Sequence, residues 1–254
     1  MSLDVKISNW IARYASKNNL NTLIIGVSGG IDSAVTSALC AMTGLKTKLL
    51  IMPIHQNIDE TKRGLNHCDS LKGKFANTET IKIDLTNIYD EFVRTIPKQY
   101  HNRLSLANSR ARIRMTTLYQ VASANKGIVV GTGNKVEDFG VGFYTKYGDG
   151  GVDISPIADC TKSEVWELGK EMGILNEIIN AQPTDGLWDD GRTDEEQLGA
   201  TYEELEWAMT WYDNHYPDLL ENSLNEKQKR VLETFLKHKR LNIHKMKEIP
   251  VFKK

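Results

Sequence analysis

Cysteine is scarce in this sequence, with only three in 254 residues. Cys40, Cys68 and Cys160 are scattered and odd in number, which excludes a disulfide scaffold and favours a reducing cytoplasm. No apolar run approaches the ~20 residues that a membrane-spanning helix needs. The amino terminus lacks the apolar core and cleavage site of a secretory signal peptide. We therefore expect a soluble, cytoplasmic protein with no membrane partner.

Neither sign of charge dominates, since 32 Lys and Arg residues stand against 33 Asp and Glu residues. This balance gives no reason to expect a nucleic-acid partner. The six histidines do not have the spacing of a zinc site, and His67-Cys68 has no second pair to join it. A structural zinc is therefore not expected.

Short apolar runs alternate with helical patterns in the first half of the chain. The runs are rich in Ile, Val and Leu without strict alternation, which is typical of buried parallel strands. They lie at residues 23–27, 48–54, 80–85 and 127–131, and the helical patterns at 31–43, 59–74 and about 104–125. This order predicts an α/β fold with a doubly wound, mostly parallel sheet flanked by helices. Its ligands should bind beyond the carboxyl ends of the strands.

The second half of the chain has a different character. Residues 133–162 are glycine-rich and polar, residues 182–193 have the composition of a mobile loop, and residues 194–241 are mostly helical. No internal repeat or low-complexity tract divides the sequence, so we expect one domain over residues 1–254 with a helical C-terminal part.

The most informative stretch is IIGVSGGIDSAV, residues 24–35, where an apolar run turns into a helical pattern. Gly29 and Gly30 permit positive φ and close backbone approach, and the next helix directs free N–H groups at the turn. Such a turn can bind a phosphate chain, although an ordinary strand-to-helix turn has similar residues. Asp32 would repel a phosphate unless a divalent cation bridged the two. The lysine of the P-loop motif does not follow.

The motif Ser-Gly-Gly-Ile-Asp-Ser resembles the pyrophosphate-binding loop of the ATP pyrophosphatase (PP-loop, N-type) superfamily, whose fold is adenine nucleotide alpha hydrolase-like. Further motifs follow in the order seen in ammonia-dependent NAD synthetases. They are NSRARIRM, VVGTGNKVEDFGVGFYTKYGDGGVDISPIAD, CTKSEV, QPTDGLWDDGRTDEEQLGATYEEL and HKMKEIP. The sequence is therefore identified as similar to the NAD synthetase family over nearly its whole length.

The resemblance implies a two-step reaction at the end of NAD biosynthesis. The nicotinate carboxylate of deamido-NAD attacks the α-phosphorus of ATP, which gives an acyl-adenylate and pyrophosphate. Ammonia then displaces AMP and gives NAD. This chemistry requires positioning and charge neutralisation rather than a protein nucleophile, and the sequence has no obvious Ser/His pair for one.

The resemblance also implies the residues that bind ATP and Mg²⁺. Asp32 and Glu137 correspond to the two Mg²⁺ ligands, although spacing alone favours a solvated glutamate at the start of a helix for Glu137. Lys162 corresponds to a phosphate contact that would neutralise the departing pyrophosphate. The expected ATP-binding set is Gly26, Val27, Ser28, Gly29, Gly30, Ile31, Asp32, Ser33, Thr132, Lys162 and Thr184.

The family pattern assigns deamido-NAD binding to Arg112, Lys146, Asp153, His244 and Lys245. Helical geometry indicates that the three arginines of this motif cannot all serve one pocket, and the family motif selects Arg112. A stripe of Ala111, Met115, Leu118 and Ala122 would have Arg112 on one flank, and Arg110 and Arg114 on the other. For Arg110 and Arg114 we expect salt bridges instead.

The chain departs from the better-known family pattern in two places. Gly131-Thr132 is followed by Gly-Asn-Lys-Val-Glu in place of Asp-His-Ala-Ala-Glu, while Glu137 keeps its offset from Thr132. The terminal motif is HKMKEIP, and an earlier His238-Lys239-Arg240 competes for its role. The later pair keeps the better distance to Pro250, and we prefer it.

Asp149, in the turn GDGG, is the candidate for holding ammonium and helping it lose a proton; the alternative is an Asx turn that serves the backbone alone. Glutamine-dependent synthetases carry an additional amidotransferase domain, which we do not expect here, so free ammonia should be the nitrogen source. The resemblance also implies a homodimer. The helices at 104–125 and 201–214 support it with Trp207, Met209, Trp211 and Tyr212, unless these residues pack in the chain's own core.

Two other functions remain open from the residues. A tRNA-modifying pyrophosphatase would need a basic RNA-binding domain or a reactive cysteine pair, and neither is visible. A nucleotide-binding sensor of the same fold would not need both Asp32 and Glu137 as metal ligands.

Overall fold

A computed structural model describes residues 1–184, 193–218 and 224–254. The strands are β1 (Thr22–Gly26), β2 (Lys46–Ile51), β3 (Thr78–Lys82) and β4 (Gly127–Val129). The helices of the first half are α1 (Leu3–Lys17), α2 (Ile31–Met42), α3 (Ile58–Lys74), α4 (Thr86–Thr95) and α5 (Arg103–Ala124). The later helices are α6 (Lys162–Glu171), α7 (Asn176–Ile179), α8 (Asp194–Leu198), α9 (Tyr202–His215) and α10 (Glu226–Met246). A 3₁₀ turn spans Lys98–Tyr100 and a π-helical turn spans Lys135–Val141.

The strands form a parallel sheet in the order β3-β2-β1-β4. Alternate residues of β1 face opposite layers: Leu23 and Ile25 pack in a cluster with α1, α2 and α6, whereas Ile24 packs with α4 and α5. Both faces are therefore covered, which explains why the strands have continuous apolar runs. The predicted α/β class, parallel sheet and flanking helices are confirmed.

The predicted strand ends were less accurate than the strands themselves. β2 ends at Ile51 rather than residue 54, because Pro53 has no N–H to continue the ladder. Hydrogen bonds from Ile83 N to Ile51 O (2.9 Å) and from Leu85 N to Pro53 O (3.0 Å) still hold the extended chains together. β4 also ends early, and Val130 instead forms an isolated bridge with Ile154.

The C-terminal part is helical, as predicted, with its own apolar cluster. α8, α9 and α10 each begin with a side-chain capping box, at Thr193–Glu196, Thr201–Glu204 and Asn225–Gln228. Their buried faces meet around Phe235 and Tyr202, which are 0% and 1% exposed. α10 continues to Met246, five residues beyond the predicted helical region, and brings the last His-Lys pair with it.

The aromatic residues of α9 do not form a free surface. Met209 is buried, and Trp207, Trp211 and Tyr212 pack partly buried against the same helical cluster. These residues therefore pack in the chain's own core, which is the alternative given for them, because the apolar face of α9 is covered by α10 and the π-helical turn.

Candidate active site

The glycine motif forms the turn between β1 and α2 at the carboxyl end of the sheet. Gly29 has φ of +91°, and a Cβ atom there would lie 2.5 Å from the carbonyl oxygen of Glu60. Both the backbone conformation and the packing therefore require glycine. Gly30 is the N-cap of α2, so the first N–H groups of that helix point into the turn. This geometry is that of an anion-binding turn.

Two serines brace the turn. Ser33 Oγ accepts a hydrogen bond from Ser28 N (3.1 Å) and donates one to Gly30 O (3.0 Å). Ser28 Oγ in turn accepts from Gly30 N at 3.2 Å. The conformation of the turn is therefore held by its own side chains.

A buried ammonium group joins two carboxylates in front of this turn. Lys162, the first residue of α6, is 1% exposed. Its Nζ lies 2.6 Å from Asp32 Oδ2 and 3.1 Å from Glu137 Oε1. Asp32 comes from the first turn of α2 and Glu137 from the π-helical turn. The fold therefore brings together the three charged residues that the resemblance assigned to metal and phosphate.

Burial and charge oppose each other in this trio. Burial would lower the pKa of Lys162, but the charges of Asp32 and Glu137 raise it above its ordinary value, so the ammonium stays charged. Burial raises the pKa of Asp32 in spite of the lysine. Burial also disfavours ionised Glu137, yet Lys162 and the Tyr202 hydroxyl together lower the pKa of that carboxyl.

Two side chains that the sequence analysis did not assign hold this trio in place. Asn134 is fully buried; its amide donates to Asp32 Oδ1 (3.2 Å) and accepts from Glu137 N (3.1 Å). The Tyr202 hydroxyl donates to Glu137 Oε1 at 2.5 Å. The only sequence signal for them was their place inside the quoted family motifs.

The eleven residues of the expected ATP set all line one cleft at the carboxyl ends of β1, β2 and β4. One part of the cleft, about 260 Å³, has apolar walls that include Leu50, Met52, Met115 and Leu118. The other part contains the glycine turn, Asp32, Glu137 and Lys162. An apolar recess beside an anion-binding turn is suited to a purine nucleotide.

Arg114 lies in this cleft rather than on the outer surface. It donates from Nε to Met52 O (2.9 Å) and from Nη2 to Gln56 Oε1 (2.8 Å). Gln56 donates to Glu60, and Glu60 Oε1 accepts from Thr184 Oγ1 at 3.0 Å. Thr184 thus lies at the cleft wall. Residues 185–192, most of the loop predicted to be mobile, lie outside the described residues.

The residues assigned to deamido-NAD are linked by hydrogen bonds to one another or to the segment at residues 142–146, with the exception of Asp153. Arg112 Nε donates to Lys146 O (3.2 Å), and Lys146 Nζ to His244 O (3.4 Å). Lys245 Nζ donates to Gly142 O (2.6 Å) and Tyr144 O (2.7 Å). Asp153 lies at the sheet edge instead, where it accepts from Val129 N (2.7 Å) and the Tyr119 hydroxyl (3.0 Å).

The competing His238-Lys239 pair has contacts within the helical cluster. His238 is hydrogen-bonded through its Nε2 to Leu198 O at 3.0 Å, and Lys239 donates to Phe139 O at 3.1 Å. This arrangement favours His244-Lys245 for the substrate role.

Two further carboxyl groups face the charged trio. Asp149 is open to solvent in the cleft, and its Oδ1 accepts a hydrogen bond at 3.0 Å from the backbone N of Thr145, four residues earlier, whereas an Asx turn would take its donor from two residues later. The protein around the cleft removes part of the carboxylate's hydration, which raises the pKa of Asp149 to about 6. Asp138, which the sequence analysis missed, packs against Gly133, and burial raises its pKa well above the ordinary value.

With the cleft described, comparison with known proteins gives its family. A family model described as NAD synthase matches residues 4–249. The chain belongs to the NAD synthase family. It is 35% identical over 238 residues to the NH3-dependent NAD(+) synthetase of Finegoldia magna, with 92% of this chain and 91% of that relative covered. The predicted family and enzyme class, an ammonia-dependent ligase, are thereby confirmed.

Two solved structures are similar over almost their full length. The NMN synthetase from Francisella tularensis superposes with a TM-score of 0.84 at 32% identity, covering 98% of this chain and 96% of that one. The NH3-dependent NAD synthetase from Campylobacter jejuni, in complex with nitrate, gives 0.79 at 25% identity, covering 99% and 98%. The roles of the individual site residues remain predictions.

Asp149 provides a prediction about stability. Its pKa lies near 6 in the folded chain and near 3.8 when unfolded, so its stabilising contribution is complete below pH 3.8 and is lost as the pH rises through 6. Asp149→Asn keeps an acceptor for Thr145 N but does not ionise. We expect the melting temperature of the variant, minus that of the wild type, to rise between pH 4 and pH 7. A difference that stays constant across this range would contradict the assignment.

Proposed function

We propose that this chain amidates deamido-NAD with free ammonia, using ATP and releasing AMP and pyrophosphate. The observation that carries the proposal is the buried Lys162, held between Asp32 and Glu137 directly in front of the glycine turn. A lysine at this position can neutralise the negative charge that develops on the departing pyrophosphate. The class of reaction follows from the family to which the chain belongs. A simple nucleotide sensor does not account for this charged trio.

ATP would lie with its base in the apolar part of the cleft and its phosphates at the glycine turn. Backbone N–H groups in the first turn of α2 would donate to phosphate oxygens, and Thr132 and Thr184, which line the same cleft, would also contact the triphosphate. The Lys162 ammonium would give up one of its two carboxylate contacts and contact a phosphate oxygen instead. No covalent attachment to the protein is needed, because the substrate's own carboxylate is the nucleophile.

The residues fit a Mg²⁺ ion. Asp32 Oδ2 and Glu137 Oε1 converge on the single atom Nζ of Lys162, and carboxylate oxygens are the donors that Mg²⁺ prefers. In the described ranges no three acidic, histidine or cysteine side chains form a ready metal site. Two carboxylates would therefore need phosphate oxygens and water to complete the coordination. Bound there, Mg²⁺ would neutralise charge on the triphosphate.

The acid substrate would enter from the side of Arg112, Lys146, His244 and Lys245, whose positive groups suit its phosphates. Asp149 lines the same cleft as the charged trio. A carboxylate with a pKa near 6 would be mostly ionised at neutral pH and could hold ammonium beside the adenylate and accept its proton.

A second candidate substrate is the mononucleotide, nicotinate mononucleotide. It is favoured by the similarity to a structure described as an NMN synthetase, at a TM-score of 0.84 and 32% identity. The two acids present the same nicotinate carboxylate and differ in the adenylate half that deamido-NAD carries. Either acid would use the same glycine turn, Lys162 and Asp149.

We also propose that the chain acts as one synthetase domain on free ammonia. The Finegoldia relative, covered over 91% of its length, is named NH3-dependent. A cytoplasmic location is consistent with the free, buried thiols of Cys40, Cys68 and Cys160. As a separate finding, no helix among the described residues has the length and hydropathy to cross a membrane.

A homodimer is proposed through the outer face of α5. Support comes from Leu104 and Tyr119, which are 60% and 36% exposed on α5, and from Tyr147 nearby at 59%. Aromatic and aliphatic side chains of this size on one face are typical of subunit contacts.

The function is tested by supplying purified protein with ATP, Mg²⁺ and ammonium chloride, together with either acid. We expect AMP, pyrophosphate and one amide product, with deamido-NAD giving the larger kcat/KM. Ammonia-free glutamine should give no product. Because only NH₃ is nucleophilic, the rate at fixed total ammonium should climb as the pH rises above neutral. A larger kcat/KM with the mononucleotide would select the second candidate, and turnover on glutamine alone would contradict the ammonia assignment.

The proposed metal ligands give a second prediction. Asp32→Asn and Glu137→Gln should each lower kcat by about 100-fold or more, since each removes one charged oxygen ligand at similar volume. Asp69→Asn, an exposed acid on α3, is the matched control. Chelation should silence the wild type and excess Mg²⁺ should restore it. If either cleft variant kept full activity and an unchanged circular dichroism spectrum, the substituted residue would not be a Mg²⁺ ligand.

Light scattering tests the proposed dimer. We expect a mass twice the 28.7 kDa of one chain at assay concentration. Leu104→Glu should dissociate the dimer, because a charge at a buried contact is costly. Leu241→Glu, at a leucine of similar exposure (64%) on α10, should not. An active wild-type monomer would contradict the proposal.

A further inference from the structure

Tyr202 belongs to the helical cluster, yet its hydroxyl reaches the cleft. It is the first residue of α9, whose start is set by the capping box of Thr201 and Glu204. Its backbone N donates to Glu195 Oε1 at 3.0 Å, and its side chain is 1% exposed. Both ends of the residue are therefore fixed by contacts, so the hydroxyl has little freedom to move.

The hydroxyl contacts the same oxygen that Lys162 contacts. It lies 2.5 Å from Glu137 Oε1, and Lys162 Nζ approaches that atom at 3.1 Å. A second carboxyl oxygen, Asp194 Oδ2, lies 3.3 Å from the hydroxyl. Burial and these carboxylates raise the pKa of Tyr202 far above its ordinary value, so the hydroxyl remains a hydrogen-bond donor.

The ring of Tyr202 contacts the lysine as well. Lys162 Nζ lies 4.7 Å from the centroid of this ring and 5.9 Å from that of Trp166. The two rings meet edge to face, with centroids 6.0 Å apart at 90°. Together they close one side of the ammonium with aromatic surface, which favours the charged form there.

Packing alone does not require a hydroxyl at this position. Phe235 fills a buried place in the same cluster without one. A phenylalanine at residue 202 would retain the ring against Lys162 and Trp166 and lose the contacts of the hydroxyl with Glu137 Oε1 and Asp194 Oδ2. The hydroxyl therefore contributes to the cleft, through its contacts with Glu137 and Asp194, rather than to the packing of the core.

We propose that Tyr202 is a positioning residue that fixes Glu137 and Lys162 for Mg²⁺-bound ATP, and this rests on the function proposed above. The Lys162 ammonium and the Tyr202 hydroxyl both contact Glu137 Oε1. When Lys162 turns to the phosphates, the hydroxyl still holds Glu137, so this carboxylate keeps its place for the metal. The helical cluster thereby contributes to the nucleotide site through one side chain.

The test compares Tyr202→Phe with wild type and with Tyr212→Phe. Tyr212 is the matched control, since it lies on the same helix and packs against Phe235 and Tyr216. ATP binding is measured by calorimetry with Mg²⁺ and with chelator. For Tyr202→Phe we expect about tenfold weaker binding with Mg²⁺ and unchanged binding with chelator, because the lost bond is to a charged group that serves the metal. Tyr212→Phe should match wild type in both.

Turnover and a double-mutant cycle complete the test. The kcat of Tyr202→Phe should fall about tenfold while KM for the acid stays the same. Adding Tyr202→Phe to Glu137→Gln should cause much less further loss in Mg²⁺-dependent binding than it causes alone. Equal loss of ATP binding with and without Mg²⁺, or full additivity in the cycle, would overturn the proposal. These binding readouts need no turnover, so a wild type that binds Mg²⁺-ATP but amidates neither acid would contradict the proposed function alone.

Discussion

The cleft depends on one buried ion cluster, in which a fully enclosed ammonium is shared by two carboxylates. Removing such charges from water costs several kcal/mol for each ion, and the cost is recovered only if the partners are close and further hydrogen bonds complete their coordination. Both conditions hold for Lys162: its contacts are 2.6 and 3.1 Å, and Asn134 and Tyr202 supply the additional bonds. The cluster is also where the sheet and the helical part meet. Asp32 follows β1, Lys162 begins α6, and Tyr202 begins α9. Loss of Lys162 would leave two buried carboxylates, Asp32 and Glu137, without a counter-charge between them.

Local patterns in the sequence predicted much of the framework. The turn at residues 24–35 combines an apolar run, two glycines and a helix start within twelve residues, so the local pattern was enough to predict a strand-to-helix turn there. The apolar stripe of α5 was predicted equally well, since Ala111, Met115, Leu118 and Ala122 are all buried. Strand ends were harder, because the last residues of β2 continue to form hydrogen bonds outside a regular ladder.

The cluster itself depends on contacts between distant residues, and single-sequence patterns do not show those. Asp32 and Lys162 are 130 residues apart, and Glu137 and Tyr202 are 65 apart. By spacing alone Glu137 would be a solvated glutamate, and only the family resemblance singled it out with Lys162. Asn134 and Tyr202 had no such assignment, because nothing in a polar loop or a helix start reveals which buried partner it will meet. The α9 aromatics show the same limit from the other side, since an apolar helix face does not say whether its partner is the same chain.

On the proposed function, the order of charges along the cleft explains how two anionic substrates and a cationic nitrogen source can share it. Backbone N–H groups of the glycine turn suit the phosphates of ATP at one end, and Arg112, Lys146 and Lys245 would receive the phosphates of the acid at the other. The carboxyl groups of the cleft, including Asp32, Glu137 and Asp149, suit cations. Anions held at the two ends would face each other across this acidic centre, where Mg²⁺ and ammonium reduce their repulsion. Of the trio, only Lys162 can move its contact from a carboxylate to a phosphate. The exchange costs little interaction energy, because both partners of the ammonium are anions. The acidic centre therefore disfavours either anion alone in the middle, and it favours the state in which ATP, the acid and Mg²⁺ are bound together, which is the state that formation of the acyl-adenylate requires.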